Sequence, residues 1–169
     1  MRRVLCIATM DLRVADPIDA APIAELINRA YRLEDLYLHG DRTSEAEVRE
    51  KMAAPGSVFL VSEDPGEERP LLTGAAFVQL RGERGYLGPV AVDPDHQGRG
   101  LGRKLVLAAE AYCREHGCDW MDLDVLSTRA ELPPFYESFG FAVSGVAPYP
   151  KPGRLRQDAH LVVMTKRLS

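Results

Sequence analysis

The residues best suited to chemistry lie in one run, Gln97-Gly98-Arg99-Gly100-Leu101-Gly102-Arg103-Lys104, which packs three glycines and three cations into eight positions. Such a run serves anion binding. Without a Cβ, glycine lets backbone N–H groups come close to an oxyanion, and at the start of a helix those groups have no internal partners and carry the positive end of the macrodipole. Arg99, Arg103 and Lys104 stand where the dipole favours acids. A turn built for stability alone accounts for the glycines but not for these charges.

The flanks show what positions the run. Val90-Ala91-Val92 is a short apolar strand that ends at about Asp93, because Pro94 lacks an N–H and restricts the residue before it. On the other side Leu101, Leu105, Ala108 and Tyr112 recur at helical spacing and Gly117 supplies a stop, which predicts a helix over about 99–116. Two phosphate motifs are excluded. A P-loop needs Gly-Lys-Ser/Thr, whereas Gly102 is followed by Arg103 and Lys104 with no hydroxyl for magnesium. The dinucleotide fingerprint fits Gly98 and Gly100 but has Arg103 in place of its last glycine, so a nucleotide-binding oxidoreductase lacks its motif here.

A second block follows. Asp119 to Leu126 alternates polar with apolar at Met121, Leu123 and Val125, as a strand with one buried face does. After it, Glu131-Leu132-Pro133-Pro134-Phe135-Tyr136-Glu137-Ser138-Phe139-Gly140-Phe141 reads as a short helix ending in Tyr-x-x-x-Gly-Phe. Taken alone, a tyrosine at helical spacing is ordinarily a core residue. Taken with Gln97-x-x-Gly100-x-Gly102 behind a Val-Ala-Val-Asp-Pro strand, the pair of blocks resembles the GNAT superfamily of N-acetyltransferases, in that family's order.

The resemblance covers about Asp11 to the C-terminus, and only 90–105 and 131–141 are motif-specific. It implies acetyl-CoA as acyl donor, with the pantetheine arm on the strand Val90, Ala91, Val92 and the pyrophosphate on the backbone of Gln97, Gly98, Arg99, Gly100, Leu101, Gly102 and Arg103. It further implies an N-acetyltransferase that works by direct attack of a primary amine, with Tyr136 as general acid toward the leaving thiolate. Three positions depart from the common pattern: Tyr86 stands where many relatives carry a glutamate base, Arg129 where they carry Asn, and Leu132 where they carry Ala. Glu83 and Asp124 are candidate bases by nearness to the inferred cleft, and His39 and His160 by an intrinsic pKa near neutrality. Each also has an ordinary role as a turn, sheet-face or surface group, and a water chain or an already neutral amine needs no side-chain base. The missing glutamate permits a different class, a non-catalytic acyl-CoA-binding regulatory module. Tyr136 speaks against it.

The remaining elements follow from pattern and punctuation. A strand near Asp11 to Val14 precedes a helix from about Pro17 whose apolar stripe is Ile23, Ile27, Ala30 and Tyr31. Thr43 or Ser44 can cap a second helix. Ser57–Ser62, Leu71–Leu80 and Gly85–Val92 read as an antiparallel meander, and Phe141–Val146 and Ala159–Thr165 as the last strands. Between those two, Pro148 to Arg154 is too proline-rich to be regular and reads as a lid. The fold class is α+β: a mixed, mostly antiparallel central sheet, parallel around the glycine-loop helix and flanked by helices on both faces.

Composition agrees. The 169 residues with 46% apolar content suit a single domain spanning 1–169, with 1–9 as an N-terminal extension and Met10 as a second candidate start. A net charge of −4 argues against nucleic acid or an anionic membrane as partner. Cys6, Cys113 and Cys118 suggest neither a disulfide framework nor a zinc site, so no metal is expected and a cytoplasmic setting is. The N-terminal apolar run is too short for a signal peptide or a span. Substrate identity falls to the rims Tyr31–Arg42 and Pro148–Asp158, where Tyr31, Glu34, Asp35, Tyr37 and Tyr149 suit an amine on a small molecule or peptide. The same residues suit a homodimer interface equally.

Overall fold

Alternating apolar residues build a seven-stranded sheet whose two faces carry different helices. The computed structural model describes residues 12–65, 68 and 71–169, so Cys6, Met10 and the expected extension lie outside the described residues. The strands are β1 (Leu12–Val14), β2 (Ser57–Asp64), β3 (Leu71–Arg81), β4 (Arg84–Val92), β5 (Trp120–Leu126), β6 (Ala142–Pro148) and β7 (His160–Arg167), in the order β1-β2-β3-β4-β5-β7-β6. Every neighbouring pair is antiparallel except β4–β5, which is parallel. The α-helices are α1 (Ala20–Ala30), α2 (Glu45–Ala53), α3 (Leu101–Glu115) and α4 (Leu132–Glu137). None is long and apolar enough to cross a membrane.

The strand period sorts the core. Phe59 and Val61 of β2 and Ala75 and Phe77 of β3 pack with Ile23, Leu26 and Ile27 of α1 and Val48 of α2. Their sequence neighbours Leu60, Ala76 and Val78 face the other way, onto Leu105, Val106 and Ala109 of α3. The sheet therefore separates an α1–α2 side from an α3 side.

One interruption of the sheet matters most. The parallel register runs from Arg84↔Trp120 to Leu87↔Leu123 and stops there. Beyond it β4 stays with β3, through Val90↔Ala76 to Val92↔Gly74, while β5 stays with β7, through Asp124↔Val163 to Leu126↔Leu161. The residues at the break explain it. Pro89 has no N–H to give a ladder. At Gly88 a Cβ would fall 2.6 Å from the Phe77 ring, so only glycine lets β4 lie where it does. The β3–β4 register shifts at the same place, between Ala76 and Val78. Two central strands splay, and the gap joins the two sides of the sheet.

Several boundaries move from the sequence expectation for local reasons. Helix α3 begins at Leu101 rather than near 99, because Gly98 (φ 78°) and Gly100 (φ 76°) are left-handed and cannot belong to a right-handed helix. Pro17–Asp19 forms a 3₁₀ turn before α1, and Arg32–Leu36 is a second 3₁₀ turn that buries Glu34 and leaves Leu33 and Leu36 exposed. Ser44, not Thr43, caps α2, its hydroxyl accepting the Glu47 N–H at 3.2 Å.

Candidate active site

The splay opens into a cavity of about 760 Å³ that runs from the start of α3, between β4 and β5, to the α1–α2 side. At the α3 end Gly100 is the N-cap and offers no side chain, so the free N–H groups of the first turn keep their positive end. Gln97, Gly98, Gly100, Leu101, Gly102 and Arg103 line this end, with Val90 and Val92 of β4. Ala91 instead points into the α1–α2 core, and Arg99 is exposed outside the cavity wall. The loop before α3 is anchored from behind by Asp93. Its carboxylate accepts from the Asp95 N–H at 2.9 Å and from Arg29 of α1 at 2.8 Å. Burial pushes this carboxyl up, but the Asp95 amide, Arg29 and His96 more than reverse that and leave it below the usual range.

Tyr136, on α4, is 6% exposed and lines the middle of the cavity among Phe135 and Phe141. Among the described residues no group hydrogen-bonds its hydroxyl. Burial, joined by the nearby Tyr31, drives its pKa far above the ordinary phenol value, while Arg129 works in the opposite direction. The phenol is therefore protonated at neutral pH, with a guanidinium nearby that favours its anion.

Across the splay, Tyr86 of β4 donates to Asp124 of β5 at 3.0 Å, and both line the cavity. Burial first, and then Asp124, raises the Tyr86 pKa and keeps that proton in place. Glu83 is not brought to the site. It sits in the β3–β4 turn at the paired end of the parallel strands, where its exposed side chain is outside the cavity and its carbonyl accepts from Asp119 and Trp120. His39 and His160 are likewise exposed and outside it.

On the α1–α2 side the cavity takes in Tyr31, Glu34 and Tyr149 of the rim residues expected from sequence, leaves out Asp35 and Tyr37, and adds Arg42. Glu34, 3% exposed, lies between Arg129 Nη1 and Arg42 Nη2, each at 3.0 Å, the second an ion-pair contact without hydrogen-bond alignment. Arg42 also covers the Tyr31 ring and donates to Tyr149. Tyr31 in turn donates to the Val90 carbonyl at 3.1 Å, and burial ahead of Glu34 lifts its pKa to about 12. Glu34, expected from sequence to face an amine, is instead paired to the two arginines.

Residues 21–141 match the Acetyltransferase (GNAT) family. The chain belongs to that family. It is 34% identical over 148 residues to the L-amino acid N-acyltransferase MnaT of Escherichia coli, a match covering 82% of this chain and 83% of that protein. It is also 34% identical to the L-methionine sulfoximine/L-methionine sulfone acetyltransferase of Salmonella typhimurium, covering 82% and 84%. In three dimensions it is similar to yncA, a putative acetyltransferase from Salmonella typhimurium solved with acetyl-CoA, with TM-score 0.73, 26% identity and coverage of 96% and 95%. The ribosomal-protein-S18-alanine N-acetyltransferase of Escherichia coli shares the fold at TM-score 0.75 and 21% identity, covering 94% and 93%. The chain is thus an acetyl-CoA-dependent GNAT N-acetyltransferase. Its sheet of seven mostly antiparallel strands with helices on both faces is the GNAT architecture.

Proposed function

We propose that this GNAT enzyme binds its donor from the α3 side of the splayed strands and its amine from the α1–α2 side, so that transfer occurs in the gap between β4 and β5. The observation that carries this reading is one continuous cavity holding Tyr136 and Asp124. The residues at the α3 end fit a CoA ester: an uncapped helix N-terminus, two left-handed glycines with nothing within 4 Å of where a Cβ would be, and Arg103. In this role Gln97 to Arg103 hold the pyrophosphate, and the free edge of Val90–Val92 holds the pantetheine arm. The bound donor supplies an acetyl thioester.

The protein then has three tasks. Asp124, oriented by Tyr86, takes the proton of the acceptor ammonium as general base. The freed amine nitrogen forms the new bond to the acetyl carbon as the carbon–sulfur bond breaks. Tyr136 gives its phenolic proton to the departing sulfur, and the second proton shed by the nitrogen on amide formation replaces it. Arg129 stabilises the phenolate through which that exchange passes. Such general acid help is worth about 10²- to 10⁴-fold.

A small amine is the acceptor class supported best. Two relatives are named for amino-acid substrates, and the two rim segments beside the α1–α2 mouth are tied to each other and narrow it: His39 N–H donates to Arg154 O and Arg156 N–H to Tyr37 O, both at 2.8 Å. Together with the free, buried Cys113 and Cys118, this fits a small-molecule enzyme of a reducing cytoplasm. The test is acetyl transfer from acetyl-CoA to a panel of amines, read by product mass. Tyr136→Phe is expected to lower turnover about 10²-fold or more while acetyl-CoA binding stays near wild type. Unchanged turnover in that variant removes Tyr136 from the chemistry.

A further inference from the structure

The acceptor mouth carries more positive charge than its own carboxylates balance. Six cationic side chains line the cavity against three acids, Glu34, Asp124 and Glu131. Three of the six have evident tasks. Arg103 lies at the donor end, Arg129 is held by Glu34 and Glu131, and Arg154 donates to the carbonyls of His39 and Asp41. Lys51 and Lys151 remain, beside Arg42, which already shares Glu34 with Arg129 and donates to Tyr149.

Lys51 is the informative one. It stands in the last turn of α2, half-buried, with Nζ 5.3 Å from the centroid of the Phe77 ring, and no carboxylate lies within 4 Å of it among the described residues. A lysine that served packing alone would carry its ammonium out to water. Lys51 instead also lines a side chamber of about 370 Å³ that shares Tyr86, Pro89 and Asp124 with the main cavity. Burial lowers its pKa first, Glu47 pulls it back, and the like charges of Lys151 and Arg42 add smaller pushes downward. Lys151 reaches Glu47 only at 3.7 Å from the rim, and Arg42 shares Glu34 with Arg129. Converging like charges of this kind cost free energy in the empty cavity and gain it when an anion enters.

Resting on the acetyl-transfer reading above, we propose that the acceptor amine carries an oxyanion, a carboxylate or a phosphate, that seats on Lys51 with Arg42 and Lys151 while the amine faces Asp124. The α2 wall thereby selects substrate by charge, and Lys51 is its specificity residue.

The experiment compares matched acceptors with the wild-type protein and Lys51→Met, a change that keeps the aliphatic stem and breaks no ion pair. The probes are the common α-amino acids against their carboxamides, and O-phosphoethanolamine and glucosamine 6-phosphate against ethanolamine and glucosamine. For the anionic member of the preferred pair, Lys51→Met is expected to raise KM about tenfold with kcat nearly kept. Its neutral counterpart is expected to be a poor substrate of the wild type and unchanged by the mutation. The preferred pair, carboxylate or phosphate, tells which oxyanion the site takes. Equal use of charged and neutral members, or an equal loss for both in Lys51→Met, overturns the proposal and leaves acetyl transfer standing. No transfer to any amine, with acetyl-CoA still bound, overturns both.

Discussion

The two ends of the cavity are built in opposite ways. The end proposed for the donor is one contiguous segment, Val90 to Arg103, which offers backbone N–H groups and whose Gly98 and Gly100 adopt conformations that few other residues tolerate. The end proposed for the acceptor draws Glu34, Arg42, Lys51, Tyr86, Asp124 and Lys151 from five separate stretches of chain, and what it offers are side chains. A backbone site can be kept by a short motif while the rest of the chain drifts. A side-chain site is remade whenever any contributing element changes, which suits a family whose donor is common and whose acceptors differ.

That contrast can be broken by substitutions that act on one end only. The largest effect is expected from Asp124→Asn, which removes the carboxylate but not the shape: kcat/KM for the amine falls about 10²-fold. A variant that keeps the wild-type rate would assign the proton to water. At the donor end, Gly100→Val forces a β-branched residue to φ 76°. This costs about 1–2 kcal/mol, and KM for acetyl-CoA should rise about tenfold with amine selectivity unchanged, as initial-rate kinetics can show.

Smaller effects test the supports. Asp93→Ala removes the acceptor of the Asp95 N–H and the partner of Arg29, and should cost about 1–2 kcal/mol, or about 2–8 °C of Tm for a chain of this size. The pH dependence has a definite sign. A carboxyl held low in the fold contributes fully above its unfolded value of about 3.9 and loses that contribution as pH falls through the folded value. The gap between wild type and variant in thermal melts should therefore close in strong acid. If the gap is the same at all pH values, Asp93 acts by packing and not by charge. The smallest effect belongs to Glu83→Gln, which should leave rate and stability within about twofold. A large loss there would place catalytic weight at the paired end of β4 and β5, outside the lining of the main cavity.

The same contrast explains what the sequence made readable. Strand, glycine turn and helix at 90–116 announce themselves because periodicity, Pro94 and the glycines are local signals, and α3 starts two residues later than its periodicity implies because Gly100 is left-handed. Tyr136 was legible through a second local block. Asp124 was reachable only as one alternating polar residue among others, and Glu83 seemed equally near because distance along β4 does not reveal which end of the strand is splayed. Lys51 was invisible. On α2 it reads as one more charge on a solvated helix, and only the tertiary packing on Phe77 turns it inward.

The close approach of Phe77 to Gly88 carries one more implication. Where β4 parts from β5, an aromatic ring of β3 packs against the bare Cα of β4 and fixes that strand's path, deep in the sheet rather than on a loop. The void is part of the folded ground state, so a ligand arriving there finds its groove already shaped and loses little free energy to reorganising the host. Folding prepares in advance the geometry that a hinged enzyme would have to assemble at every turnover.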